Sequence, residues 1–162
     1  MSDVICNTSP LQYLHQLERL ELLPILFGEV VVPDAVVDEL AEGRRIGVAV
    51  PDPKALAWVK IRAVASPAVL PLVRDLGPGE REVLALALER HATFVLLDDG
   101  LARRVAGSLR LGVIGTLGVL LRAKLQGHLQ LVGPEIDQLE ALSFRLDAAT
   151  RQAVMRIAGE AG

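Results

Sequence analysis

The alternation of short aliphatic runs with stretches of helical periodicity constrains this chain more than any other feature. Residues 4–6, 29–32, 93–97 and 112–114 read as short strands, and 59–64 as a further one; most are near-continuous apolar runs with no polar residue at every second position. Between them, apolar residues recur three and four apart. Ser9-Pro10 reads as N-cap and first residue of a helix through Leu11, Leu14 and Leu17, and Asp34 as the cap of a helix carrying Val36, Val37 and Leu40 that ends at Gly43. Gly77-Pro78-Gly79 opens a helix over 80–91, and further helices are expected over 101–109, 117–126, 134–142 and 147–158. Shorter helical pieces are expected around Leu56 and Trp58 and after Ser66-Pro67, with 44–53 as a loop. Strands separated by helices require right-handed crossovers. The expected architecture is therefore a three-layer α/β/α sandwich with a mostly parallel central sheet.

At 162 residues the chain is long enough for one good core and too short for two ordinary domains. It reads as a single domain over 1–162, with 134–162 as a C-terminal helical arm that packs on the domain or forms a dimer seam. The formal net charge of −3 argues against a protein that coats nucleic acid through overall positive charge, although a local patch remains compatible with it. Of the 17 basic residues, 14 are arginine, the side chain better suited to gripping phosphate. Cys6 is the only cysteine, which excludes an internal disulfide and any multi-cysteine zinc site; a reducing cytoplasm is the expected location. No apolar run approaches the roughly 18 residues that a membrane span needs, and Met1-Ser2-Asp3 lacks the basic start of a signal peptide.

In a parallel sheet, ligands collect beyond the carboxyl ends of the strands. Asn7 follows the first strand, Glu39 lies in the helix after the second, Glu80 heads the helix after Gly79, and Asp98-Asp99 follows residues 93–97. Glu80 stands three before Val83, four before Leu84 and seven before Ala87, on the apolar face of its helix, while Glu82, Glu89 and Arg90 are expected outside. Glu39 borders the apolar stripe through Val36. Carboxylates so placed are costly unless paired or bound to a cation, and a hard ion such as Mg²⁺ or Mn²⁺ resolves their mutual repulsion.

The ordered segments VICNTSPL, VVVPDAVVDEL, LGPGEREVLALALE, FVLLDDGLARRVA and VIGTLGVLLRAKLQG resemble those of PIN-domain nucleases. More narrowly they resemble the VapC-related toxin branch, with Asn-Thr-Ser in place of Asp-Thr-Ser in the first motif. The resemblance spans residues 3 to 127, loosely between 44 and 76. It implies a divalent-metal-dependent endoribonuclease, the toxin of a toxin–antitoxin pair, using Mg²⁺ or Mn²⁺ to hydrolyse RNA phosphodiester bonds. Asn7, Glu39, Glu80 and the Asp98-Asp99 pair fall on the four acidic positions, with Asp99 fitting the usual spacing better and Asp98 kept open. The implied metal ligands are Glu39, Glu80, Asp98 and Asp99. Ser9 matches the small polar residue beside the first position, and Arg103-Arg104 are candidates for the RNA backbone. The implied partners are RNA, a small antitoxin protein and a second copy of the chain, with no membrane.

An asparagine oxygen can coordinate Mg²⁺ but brings no charge, so Asn7 weakens the site relative to aspartate. The alternative reading is a catalytically impaired module that binds RNA or a protein. Taken singly, each residue has a plainer role. Asn7-Thr8-Ser9 could be only a strand-to-helix turn, Glu80 a first-turn acid and Asp98-Asp99-Gly100 a cap. His15, His91 and His128 show no metal spacing, Cys6 reads as a small core residue, and GVIGTLG at 112–118 reads as tight packing at a strand-to-helix turn. A nucleotide-binding regulator would need a glycine-rich first turn that is missing.

Overall fold

A computed structural model describes residues 3–66 and 75–160 of the chain. Five strands, β1 (Val4–Cys6), β2 (Val30–Pro33), β3 (Val59–Arg62), β4 (Phe94–Leu96) and β5 (Gly112–Ile114), form one sheet in the order β3-β2-β1-β4-β5 with every pair parallel. Ile5 is in register with Val31 on one side and Val95 on the other, and all three are buried. Both faces of the central strands are thus covered, which is why these segments carry no polar alternation.

The helices are α1 (Thr8–Gln16), α2 (Leu22–Phe27), α3 (Asp34–Arg45), α4 (Pro78–Arg90), α5 (Gly100–Ser108), α6 (Thr116–Leu125), α7 (Gly133–Ala141) and α8 (Ala148–Ile157). Together with the sheet they make the α/β/α sandwich expected of the alternation. Helix α4 lies against β1, β2 and β4, and its Val83, Leu84, Leu86 and Ala87 are fully buried. The segment after Ser66-Pro67 falls outside the described residues.

Several local readings change. Helix α1 begins at Thr8, with Asn7 rather than Ser9 in the N-cap position. Helix α2 was not anticipated; its six residues, LLPILF, are too few to show a period. Around Leu56 there is only a 3-10 turn, Pro53–Ala55, and Trp58 leads directly into β3. Helix α3 continues past Gly43 to Arg45, where Arg44 donates to the Pro51 carbonyl and Arg45 pairs with Glu42. Glu82 and Glu89 are not idle surface acids. Glu82 accepts from the Ala35 amide at 2.9 Å, satisfying the first turn of α3, and Glu89 accepts from the Ala65 and Ser66 amides.

Residues 134–160 pack onto the domain. Helix α8 lies on α6, and Glu160 accepts from the Val132 and Gly133 amides at the start of α7 while pairing with Lys124 of α6. Among the described residues, no helix is long and apolar enough to cross a membrane. The chain leaves β1 toward β2 on one side and returns through β4 toward β5 on the other. The strand order therefore reverses between β1 and β4, and the crevice at their carboxyl ends is the natural ligand position of such a sheet.

Candidate functional site

Asn7 stands at this reversal. Its amide donates to the Leu96 carbonyl at 3.1 Å, tying the end of β1 to β4, and it then turns into α1. Although Asn7 is the N-cap, its side chain caps nothing: it is 4% exposed, and its buried Oδ1 has no hydrogen-bond partner among the described residues. The plain turn role thus leaves this oxygen unexplained, because buried acceptors are ordinarily satisfied.

Glu39 reaches the same place from α3. One carboxylate oxygen accepts from Thr8 Oγ1 and the other from the Gly79 amide at 3.1 Å. A Cβ built on Gly79 would lie 2.5 Å from Glu39 Oε1 and 2.8 Å from Asn7 Oδ1. Two oxygens therefore face one small space at the N-terminal end of α4, open because residue 79 is glycine. An orphaned neutral oxygen, a carboxylate and a hydroxyl nearby are the donors a hard divalent cation takes, so these residues fit such an ion.

The carboxylate of Asp98 lies next along the edge. Oδ2 accepts from Ser9 Oγ at 2.6 Å and Thr116 Oγ1 at 2.7 Å, and Oδ1 accepts from the Thr116 amide at 2.7 Å. Three of its four lone-pair directions are used, leaving one for a ligand. Gly115 permits this approach: a Cβ there would lie 2.9 Å from Asp98 Oδ1 and 2.5 Å from Arg103 Nη1. Arg103 also donates to the Leu97 carbonyl at 3.3 Å. Burial and then the charge of Asp98 push the Tyr13 hydroxyl up, and the same two causes push the fully buried Cys6 thiol well up. Cys6 is accordingly an inert core thiol.

The remaining candidates make other contacts. Asp99 is exposed and accepts from the Ala102 amide as N-cap of α5, so the two acids of the pair have different partners. Glu80 is half-buried, and its carboxylate folds back over Gly77. Arg104 is exposed on α5 with its guanidinium toward Gly100. Among the described residues, no three His, Cys, Asp or Glu side chains gather into a group able to hold a metal. Thr8, Gly79, Gly115 and Thr116 belong to the site but were not anticipated in it. The available signal was position, since Gly115-Thr116 follows β5 at the same sheet edge. The packing role read for GVIGTLG holds elsewhere in that stretch: a Cβ on Gly112 would meet Phe94 at 2.8 Å, and one on Gly118 would meet Ile114 at 2.9 Å.

No curated protein matches the chain closely enough to inform its activity. A protein-family model described as PIN domain, however, matches residues 3–160, almost the whole length. PIN domains are in general nucleases acting on nucleic acid with divalent metal ions. With a five-stranded parallel sheet whose order reverses between β1, which leads into Asn7, and β4, which leads toward Asp98, this chain belongs to the PIN-domain family.

Proposed function

We propose that this protein is a divalent-metal-dependent endoribonuclease that hydrolyses RNA phosphodiester bonds, and that it is the toxin of a toxin–antitoxin pair. The observation that carries the metal-dependent reading is the buried, unpartnered Oδ1 of Asn7 facing Glu39 across Gly79. Asn7, Glu39 and Asp98 would hold Mg²⁺ or Mn²⁺, which supplies a nucleophilic water near neutral pH and takes up charge on the phosphate. Glu39 is aimed by Thr8 and the Gly79 amide, and Asp98 by Ser9 and Thr116. Both carboxylates are thus set before substrate arrives, and neither needs to reorganise as charge develops. Glu80 and Asp99 complete the negative rim, and Arg103 meets the RNA backbone beside Asp98, with Arg104 further out. The toxin role, a small antitoxin partner, a homodimer and a cytoplasmic location rest on the order of the motifs and the single cysteine.

The alternative of an impaired binding module draws on one observation, a neutral Asn7 where a charge would hold the cation more tightly. Cleavage of a structured RNA with Mn²⁺ or Mg²⁺ separates the two readings. EDTA and an identically prepared Glu39→Gln/Asp98→Asn protein serve as controls for contaminating nucleases. Metal-dependent cutting lost in the double variant is expected. Cutting that survives in the double variant, or appears only after Asn7→Asp, would overturn the reading of the native chain as an active nuclease.

A further inference from the structure

A groove of about 1040 Å³ runs from Asp98 along α6 to the segment joining α7 and α8. This is just above the roughly 300–1,000 Å³ that encloses a small ligand, and a length of chain fits it better than a compact molecule. Its floor is apolar: Leu117, Leu121 and Leu125 stand four apart on α6, with Phe144 and Leu146 opposite. Arg103, Arg122 and Arg145 line it, from α5, α6 and the arm respectively. Among the described residues, none of the three lies within ion-pair distance of a carboxylate.

Among the described residues, two acids line the groove. Asp98 is bound by Ser9 and Thr116, and Asp147 is the N-cap of α8, accepting from the Thr150 amide. The lining therefore carries a net positive charge on a chain whose formal charge is −3. The Arg122 guanidinium is held in place over the Phe94 ring, 4.8 Å from its centroid.

We infer that this groove is the path of a single-stranded segment of the RNA flanking the cleaved bond, with Arg122 and Arg145 as phosphate contacts. The inference rests on the nuclease reading, which puts the reacting phosphate beside Asp98 at the groove's end. Guanidinium forks bind phosphate oxygens in a bidentate way, and the apolar floor receives ribose and base faces. The arm residues after α7 thus form one wall of a substrate path.

The test measures binding of a short single-stranded RNA by fluorescence anisotropy in EDTA over a range of salt, together with metal-supported cleavage. Each phosphate contact removed lowers the slope of log K against log salt by about 0.7 for single strands. Arg145→Ala and Arg122→Ala are each expected to lower it by that amount, and the double variant by twice as much. Arg145 is exposed on a connecting segment, so its variant folds even if loss of the Phe94 contact weakens the other. Arg156→Ala, an exposed arginine outside the groove, is expected to leave the slope unchanged. Wild type that cuts RNA while Arg145→Ala and the double variant keep the wild-type slope would overturn the path and leave the nuclease reading standing. Absence of both binding and cutting would overturn both. Competition by poly-glutamate as effective as competition by RNA would overturn the path in favour of an acidic protein segment.

Discussion

Replacing Gly79 with alanine probes the point where the two convergent oxygens meet. In a helix interior alanine is favoured over glycine by about 1 kcal/mol; at the second residue of α4 the gain is at most that, and propensity alone still makes Gly79→Ala the more stable protein. The added methyl would lie 2.5 Å from Glu39 Oε1, 2.8 Å from Asn7 Oδ1 and 3.0 Å from Glu39 Cδ, and something must move. Asn7 is enclosed, whereas Glu39 is half-buried and can rotate toward water. Rotation breaks its bonds from Gly79 and Thr8. Hydrogen bonds to a charged group contribute about 1.5–3 kcal/mol each, less here because water replaces part of the loss. Set against the helical gain, the net is a destabilisation of about 1–2 kcal/mol, or a fall in Tm of roughly 3–6 °C for a chain of this size. If Glu39 also holds the cation, Mn²⁺ affinity falls about 10- to 100-fold, as it does when a ligand loses its orienting bonds. Thermal melting and calorimetric Mn²⁺ titration read the two effects separately. A Gly79→Ala protein that melts higher and binds Mn²⁺ as wild type does would refute the assignment of this space to the cation.

Three further outcomes are expected. Asn7→Asp adds a second charge beside Glu39 at an enclosed position; without metal it should destabilise by about 1–3 kcal/mol, and Mn²⁺ should raise its Tm more than that of wild type. Equal Mn²⁺ shifts in the two proteins would count against Asn7 as a ligand position. Burial raises Glu160, but the Val132 and Gly133 amides with Lys124 outweigh it and hold the carboxyl below its ordinary value. A lowered acid contributes stability that is present above the unfolded value near 4.3 and lost as pH falls through the folded one. Glu160→Gln should therefore cost stability in urea at pH 7 and progressively less below about pH 4; a cost independent of pH would show that the charge is not what matters. Leu120→Ala empties a fully buried position on α6 and should cost about 2–5 kcal/mol in urea denaturation, whereas a cost under about 1 would mean the site collapses freely.

Much of the fold was legible because its signals are local. The runs at β1, β2 and β4 are apolar along their length, and Pro78, the Gly77–Gly79 pair and the α4 periodicity lie within one helix's reach. What stayed illegible depends on partners far away in sequence. Glu82 and Glu89 look solvated on a helical projection, yet each meets amides more than 20 residues distant. Asp98 and Asp99 are equivalent as letters; the turn after β4 sends one carboxylate to Ser9 and Thr116, and the other back onto the Ala102 amide of α5.

Periodicity and strand length are properties of consecutive residues, and they suffice for a parallel sheet with helices on both faces and a set of oxygen-bearing residues just past its strands. Which of those oxygens come together depends on how the strands are ordered in space. The strand order β3-β2-β1-β4-β5 brings residues 7, 39, 79, 98 and 116 to one edge. There two glycines leave room for side chains from other elements, and the buried Asn7 oxygen has no partner among the described residues.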